Sequence, residues 1–303
     1  MKHKKGDNIS GWLIIDKDIN IGSTDVVNQT RRLLNSQKNG HTGTLDPFAT
    51  GVLPIAFGEA TKLIPFVTDG DKEYEFVLQF GSTTDTLDIT GTITNQNGRI
   101  PTKQEIIETI PHFVGTIKQY PPAYSALKIN GKRAYDLARA GKKFDIPERQ
   151  VSIYNLELVS FVSDSQVKFK VSCSKGTYIR SLGADFAQKL GTWGYLTSLR
   201  RTKCGKFNLS DTILLEKLKN IEYVDERRKE LLPLLTCLCD ITVIAVKEED
   251  AIKLKQGQRI SPKSYEVAKQ LMGQKAFTVL DNKPIALVRI EENRISPIRV
   301  FNL

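Results

Sequence analysis

Short strand-like runs of apolar residues recur through the first two thirds of the chain. Apolar side chains occupy every second position in 74–81 (YEFVLQFG) and 166–173 (QVKFKVSC), which predicts two strands with one buried face each. The β-prone runs at 11–15 and 151–160 predict two further strands. These four segments are the strands that the pattern indicates most directly before residue 200.

Apolar residues spaced three and four positions apart predict the helices. Ser23 is a candidate N-cap for a helix whose apolar positions include Val26, Val27, Leu33 and Leu34. The other predicted helices cover 102–113, 178–190 with Gly191 as its end, 211–235, and 248–256 with Gly257 as its end.

Two segments fit neither pattern. Residues 40–58, GHTGTLDPFATGVLPIAFG, are rich in Gly, Thr and Pro and poor in charge. They are too apolar for a solvent loop and too broken for a helix, so we expect them to run along a cleft. Residues 118–149 are basic and contain Pro-Pro and Asn-Gly, which predicts an excursion from the core.

The character of the chain changes near residues 237–241. Four strand-like pieces follow, ITVIAV, FTVLD, PIALVRI and SPIRVF, and residues 291–293 predict a hairpin turn between the last two. We therefore expect two domains, residues 1–238 and a small β-rich module of residues 239–303.

Composition narrows the class of protein. Of 303 residues, 40% are hydrophobic and 26% charged, and no apolar run approaches the roughly 18 residues of a spanning helix. Lys and Arg number 44 against 34 for Asp and Glu, a net charge of +10 that favours nucleic acid over a membrane as partner. The four cysteines form no CxxC pair and no apolar leader follows the N-terminus, so we expect a cytoplasmic location.

Three side chains are candidates for chemistry. Asp46 lies in the sequence TLDP between two nearby glycines, which presents a carboxylate on a stiff loop; an ordinary Asp-Pro turn is the alternative. Tyr74 heads an alternating strand and can equally be an edge aromatic. Arg180 begins a helix, where the macrodipole disfavours a cation, so a carboxylate or phosphate partner is expected.

Other patterns limit the chemistry. The run Leu199-Arg200-Arg201 predicts a solvated face or a phosphate contact. The sequence contains no Walker A loop, no GxGxxG fingerprint and no HExxH motif, so we expect neither a nucleotide cofactor nor a metal.

Taken together, the segments resemble the motifs of the TruB family of tRNA pseudouridine synthases. Residues 40–63, GHTGTLDPFATGVLPIAFGEATKL, resemble the family's catalytic motif. Four other segments are also similar to the family's motifs, at 11–17, 72–88, 120–139 and 173–191. All of the motifs occur in family order, and the resemblance spans residues 11 to about 207. Residues 253–260 and 296–301 are similar to a PUA module, a small β-barrel that binds RNA.

This resemblance implies both a fold and an activity. The fold is α+β, a mixed and mainly antiparallel sheet with flanking helices, followed by the PUA-like barrel. The activity is conversion of uridine 55, in the T arm of tRNA, to pseudouridine. The implied partner is the T-arm stem-loop, without a cofactor; we expect a monomer with no obligate protein partner.

The resemblance also implies roles for individual residues. Asp46 matches the catalytic aspartate, and Arg180 the arginine that pairs with it and keeps it ionised. Tyr74 matches the tyrosine that stacks on the target base, and it is a candidate proton acceptor. The expected substrate-binding residues are His41, Tyr178, Leu199, Lys17 and Arg200. The insertion at about 110–150 corresponds to the family's mobile RNA-gripping segment.

One departure and two alternatives accompany this interpretation. The family's first motif commonly reads DKPxGxTS, whereas residues 16–24 read DKDINIGST, without the proline and with glycine displaced. A tRNA-folding chaperone that acts by binding would not need Asp46. The catalytic subunit of a guide-RNA-dependent complex would resemble the same core, but such relatives usually carry longer termini.

Overall fold

The computed structural model describes residues 6–125, 127–129, 131–142, 144–238, 241–266 and 270–303. Within these ranges the strands are β1 Gly11–Lys17, β2 Asn39–His41, β3 Thr50–Phe57, β4 Lys72–Phe80, β5 Thr83–Thr84, β6 Ile93–Asn95, β7 Gly115–Gln119, β8 Lys128–Ile129, β9 Lys132–Arg133, β10 Arg149–Phe161, β11 Gln166–Cys173, β12 Gly194–Cys204, β13 Phe207–Asn208, β14 Ile213–Leu214, β15 Val243–Ala245, β16 Lys275–Leu280, β17 Lys283–Glu291 and β18 Arg294–Val300.

The helices of the described ranges are short. The α-helices are α1 Ser23–Leu33, α2 Ile64–Asp69, α3 Lys103–Thr109, α4 Ala134–Arg139, α5 Ile179–Lys189, α6 Leu215–Asn220, α7 Val224–Arg228 and α8 Glu248–Lys255. Single turns of 3₁₀-helix occur at Gly58–Leu63, Ile110–Phe113, Leu209–Asp211, Leu234–Leu238 and Pro262–Ser264. No helix of the described residues is both long and apolar enough to cross a membrane.

A large mixed sheet forms the centre of the molecule. Its strand order is β14-β1-β3-β12-β4-β11-β10-β7, with β2 beside β3 and β13 beside β12. The pairs β1–β14 and β3–β12 are parallel and the others are antiparallel. The predicted α+β fold with a mainly antiparallel sheet is therefore confirmed.

The sheet has an apolar core on each face. Alternation along β1 sends Leu13 and Ile15 to one core and Trp12 and Ile14 to the other. The first core lies under α5 and contains the stacked rings of Phe76 and Phe169. The second core continues into the C-terminal sheet, whose contributions are Phe277, Leu287 and Phe301.

The C-terminal residues form a separate sheet of strand order β15-β16-β17-β18. An isolated bridge joins Ile260 to Ile295 of β18, and Ala251 and Leu254 of α8 lie in the sheet's own core. The prediction that the C-terminal residues form a β-rich module is confirmed to the extent of this second sheet. Closure into a PUA-like barrel stays a prediction, as does the boundary at 238/239, because residues 239 and 240 lie outside the described ranges.

Two predictions about local structure were wrong, and one strand was missed. Residues 50–57 form the buried strand β3 and residues 40–41 belong to β2, so only residues 42–49 of the 40–58 segment form a cleft loop. Residues 211–235 form strand β14 and two short helices instead of one long helix. Strand β12, at the middle of the sheet, was not predicted at all; charged residues at 200, 201 and 203 hide its alternation.

Candidate active site

Asp46 lies on a tight turn that is held on both sides. The turn closes with a hydrogen bond from the Ala49 N–H to the Asp46 carbonyl (3.0 Å). Before Asp46, the Ser23 hydroxyl donates to the Leu45 carbonyl and accepts from the Leu45 N–H, both at 2.8 Å. After it, the Pro47 carbonyl accepts one hydrogen bond from the last residue of β1 and one from the loop between β1 and α1. The carboxylate is thus presented by a backbone with little freedom to move.

The two donors to Pro47 are the Lys17 ammonium (3.3 Å) and the Asn20 N–H (2.8 Å). Asn20 has φ 63°, so it adopts the left-handed conformation that glycine would otherwise supply, and asparagine tolerates this region better than most residues. This accounts for the displaced glycine of the first motif. Asparagine thus occupies the strained position where the family's motif has glycine.

The predicted N-cap role of Ser23 was wrong. Gly22 is the N-cap of α1, with extended backbone and no side-chain hydrogen bond, and Ser23 is the first helical residue. Its hydroxyl faces the Asp46 turn because residues 42–49 pass over the start of the helix. Ser23 therefore links α1 to the turn.

Arg180, the second residue of α5, forms the predicted ion pair with Asp46. Its Nε lies 2.9 Å from Asp46 Oδ2, and its side chain is only 5% exposed. The rest of the guanidinium is also engaged. Nη1 donates to the Thr86 carbonyl (2.8 Å) and lies 3.3 Å from Asp88 Oδ2, while Nη2 donates to the Tyr124 carbonyl (2.9 Å). One side chain therefore joins the catalytic turn, the turn after β5 and the insertion.

Burial raises the pKa of Asp46, and the nearby Asp88 carboxylate acts in the same direction. The Arg180 guanidinium and the Lys17 ammonium lower this pKa, but burial outweighs them. The prediction that Arg180 favours the ionised form is right in sign for the pair alone. The environment as a whole makes Asp46 a stronger base than an exposed aspartate.

A cavity of about 730 Å³ opens beside this pair. Five of the predicted site residues line it: Asp46, Arg180, Tyr74, Tyr178 and Leu199. The volume is within the range of small-molecule sites, and the wall combines apolar or aromatic surface with one ion pair whose arginine is buried and whose aspartate is partly exposed. This is the arrangement expected of a site that takes an unstacked base and presents a carboxylate to it.

Comparisons with known proteins agree along the whole chain. Residues 31–179 match the model of the TruB family pseudouridylate synthase N-terminal domain, and residues 180–239 that of the tRNA pseudouridylate synthase B C-terminal domain. The tRNA pseudouridine synthase B of Caulobacter vibrioides is 43% identical over 100% of this chain and 99% of its own. This chain belongs to the TruB family.

A second curated TruB relative and the solved structures extend this comparison. The tRNA pseudouridine synthase B of Rhizobium etli is 40% identical over 98% of this chain and 97% of its own. A structure of an H/ACA RNP bound to a substrate RNA containing 2′-deoxyuridine has a TM-score of 0.70, with 21% identity over 97% of this chain and 85% of its own. A Cbf5-Nop10-Gar1 complex gives 0.70 with 24% identity over 96% and 84%. At these identities the solved structures show a common fold.

Within the TruB site, the role of Tyr74 as a proton acceptor stays a prediction. Burial raises its pKa to about 12, although the Arg201 guanidinium beside its hydroxyl lowers it. The Tyr74 hydroxyl is therefore protonated at pH 7 in the free protein. The ring remains free to stack on a base.

Tyr178 and Leu199 complete the cavity wall. Tyr178 is the N-cap residue of α5, and the Gln119 side chain fixes it by accepting from its N–H (2.8 Å) and donating to its carbonyl (3.0 Å). The Arg149 guanidinium lies over its ring at 5.2 Å. Leu199 is 6% exposed and packs in the core under α5.

Three expected RNA-binding residues are not placed to contact RNA from the cavity. Lys17 is 1% exposed, and its ammonium donates to the Asp18 and Ile21 carbonyls (2.8 Å each) as well as to Pro47. Burial lowers the pKa of Lys17 to about 8, against the effect of Asp46. The prediction that Lys17 binds RNA was wrong in this respect: the side chain supports the loop beneath Asp46.

Arg200 and His41 also lie away from the cavity wall. Arg200 points to the other face of β12 and makes a bidentate pair with Asp16, at 3.0 and 2.6 Å. Its neighbour Arg201 takes the inward position. His41, on β2, accepts from the Gly43 N–H through Nδ1 (3.2 Å), and burial lowers its pKa, so it is neutral at pH 7.

Two buried charges at the site were not predicted. Arg201 is 2% exposed and donates to the Val52 and Gly43 carbonyls at 2.8 and 3.2 Å. Asp88 is 3% exposed and accepts through Oδ1 from the Thr90 N–H (3.0 Å) and the Thr86 hydroxyl (2.9 Å). Asp88 is the last residue of the family-like segment 72–88. The threonines at positions 86 and 90 were the only sequence feature that could have indicated a carboxylate hydrogen-bonded within its own turn.

Within the described ranges, His, Cys, Asp and Glu side chains form no group of three or more that could hold a metal ion.

Proposed function

We propose that this chain converts uridine 55 in the T arm of tRNA to pseudouridine, with Asp46 as the catalytic carboxylate. The observation that carries the proposal is the Asp46–Arg180 pair, at 2.9 Å, on the wall of a nucleotide-sized cavity. The similarity to proteins named tRNA pseudouridine synthase B, at 40–43% identity over essentially the full chain, supports tRNA as the substrate.

The reaction is an isomerisation. The N1–C1′ bond of the nucleotide breaks, the uracil turns, and a C5–C1′ bond forms. The C5 proton leaves and N1 gains a proton, so nothing is oxidised and no energy carrier is consumed. Asp46 can attack C1′, attack C6 of the uracil, or abstract a sugar proton. Each route uses the ionised carboxylate that the Arg180 pair holds in place.

The target base must leave its stack before it can reach Asp46. Extrusion of a base costs a few kcal/mol, and stacking on an aromatic side chain returns about 1–3 kcal/mol. Tyr74 is the residue we assign to this stacking, and Leu199 supplies apolar surface in the same cavity. Removal of the C5 proton by Tyr74 stays a prediction, which requires the phenol to lose its own proton first.

The positive charge of the chain suits the remainder of the substrate. A net charge of +10 favours contacts with phosphates, which give affinity without sequence preference. Choice of the T arm then depends on the shape of its loop and on its unstacked bases. We propose that the insertion at about 110–150, which reaches Arg180 through the Tyr124 carbonyl, grips this loop.

We further propose that residues 1–238 are the catalytic domain and residues 239–303 a PUA-like RNA-binding domain. The division of the strands between two sheets supports this. Action as a monomer without an obligate protein partner stays a prediction. The chaperone and guide-RNA interpretations have less support, because the full-length curated relatives carry the name of a tRNA-modifying enzyme. Location in the cytoplasm stays a prediction.

The proposal is tested by mapping pseudouridine in a tRNA transcript that carries no modifications. The transcript is incubated with the protein, and carbodiimide-induced stops of primer extension locate each pseudouridine. We expect a single new stop at position 55 and none in a transcript with cytidine at that position. Modification at another uridine alone, or at none, would contradict the proposed substrate.

A further inference from the structure

The cavity that holds Asp46 shares part of its wall with a second cavity of about 590 Å³. Five residues line both cavities, and we call them the partition: Thr44, Leu45, Asp46, Ser125 and Arg180. A chain of nucleotides that enters the first cavity and continues into the second has to pass the partition. The polar groups of the partition are therefore placed to meet its sugar–phosphate.

Ser125 is the buried member of the partition with an unused polar atom. Among the described residues, three buried side-chain oxygens have no hydrogen-bond partner, those of Ser36, Ser125 and Thr202. Ser125 is the one of these three that lines the Asp46 cavity, and it is 4% exposed. A buried hydroxyl without a partner costs free energy, so native structures rarely keep one without a reason.

The backbone fixes this hydroxyl relative to the catalytic pair. The Ser125 carbonyl accepts from the Tyr135 N–H (3.0 Å), and the preceding carbonyl, of Tyr124, accepts from Arg180 Nη2 (2.9 Å). Arg180 in turn holds Asp46. The backbone position of Ser125 is therefore set before substrate binds, which lowers the entropic cost of using its side chain.

The other polar side chains of the partition do not compete for the same role. Asp46 and Arg180 are paired with each other, and Thr44 is exposed. Both cavities have side chains that suit a base, Tyr74 and Leu199 in the first and Tyr124 and Tyr135 in the second, so bases lie to either side of the partition. A ligand atom at the partition belongs to the sugar–phosphate of the nucleotide and not to its base.

We infer that Ser125 is a substrate-binding residue whose hydroxyl donates a hydrogen bond to a sugar–phosphate oxygen of the target nucleotide. This inference rests on the proposed function, since it requires a nucleotide in the Asp46 cavity. The bound oxygen supplies the partner that the hydroxyl lacks in the free protein. The hydrogen bond therefore contributes to substrate affinity and nothing to the stability of the free chain.

The test compares Ser125→Ala with Ser125→Thr, which keeps the hydroxyl. We expect Ser125→Ala to lower kcat/KM for a T-arm stem-loop RNA by about 5–20-fold, the loss typical of one hydrogen bond, while the Tm of the free protein stays the same or rises. Ser125→Thr should stay within about threefold of wild type. A kcat/KM of Ser125→Ala within twofold of wild type, or a clearly lower Tm, would overturn the inference.

The affinity of a second RNA identifies the oxygen. With 2′-deoxyuridine at the target position, an equal Kd for wild type and Ser125→Ala assigns the bond to the 2′-hydroxyl. A Kd that is again weaker in the variant assigns it to another oxygen of the sugar–phosphate. Failure of the proposed function is distinguishable, because the wild-type protein would then form no pseudouridine in the same stem-loop.

Discussion

Ser23→Ala tests whether the support of the Asp46 turn is needed for catalysis. The substitution removes the hydroxyl that both donates to and accepts from Leu45, at 2.8 Å each, in a place where Ser23 is 3% exposed. Each buried group left without a partner costs about 1–3 kcal/mol, so we expect the free energy of unfolding to fall by about 2–4 kcal/mol, with partial rescue by water. A displacement of Asp46 by about 1 Å would lower kcat roughly 100-fold.

The assay measures kcat by single-turnover pseudouridine formation and stability by urea unfolding. Thr30→Val is the matched control, because Thr30 lies in the same helix, is fully buried, and donates to the Val26 and Val27 carbonyls at 3.0 and 3.1 Å. We expect the control to lose stability and keep its kcat within about threefold. A Ser23→Ala protein that also keeps its kcat would show that the turn holds its geometry without Ser23.

Three further predictions concern the cavity. Tyr74→Phe should keep kcat within about tenfold of wild type, whereas Tyr74→Leu should lose about 5–150-fold in kcat/KM because stacking on the base is lost. An inactive Tyr74→Phe would show that the phenol carries a proton in the reaction. Asp88→Asn removes a carboxylate that raises the pKa of Asp46, so the acid limb of the kcat/KM–pH profile should move to lower pH, and a move to higher pH would contradict the assigned electrostatics. Arg201→Met should lower kcat/KM at least tenfold, because it leaves two buried carbonyls without a donor. Arg200→Ala loses only a partly exposed pair with Asp16 and should keep kcat/KM within about threefold of wild type. A larger loss in Arg200→Ala than in Arg201→Met would show that the outward arginine is the functional one.

The parts of the fold that were predictable are those with an uninterrupted local pattern. Strands β4 and β11 alternate cleanly, and α5 ends where Gly191 takes φ 71°. Strand β12 has the same role in the sheet but carries Arg201 on its buried face. The carbonyls that accept from this guanidinium, of Val52 and Gly43, are brought to it only by the fold. Local pattern alone could not distinguish such an arginine from a solvated one.

The candidate site, too, was predictable only where a local sequence pattern indicated it. Asp46, Tyr74 and Arg180 were identified as candidates from the sequence alone. Their roles came from a family resemblance, because their spacing along the chain does not say how they are arranged in space. Ser23 has the residue type of a helix cap, and that preference predicted the wrong partner because the Asp46 turn lies over the start of α1. Lys17 was expected to bind substrate only because of the family resemblance. Its three carbonyl partners come from loop residues and Pro47, which sequence alone does not bring together.

The central claim is that Asp46 carries out an isomerisation of uridine, and tritium release tests it most directly. A tRNA labelled with tritium at uridine C5 is incubated with wild type and with Asp46→Asn, which preserves the shape of the side chain and removes its charge. We expect the wild type to release tritium equivalent to one uridine per tRNA, and the variant to release none while it binds tRNA within tenfold of wild type. Release by Asp46→Asn at the wild-type rate would contradict the account.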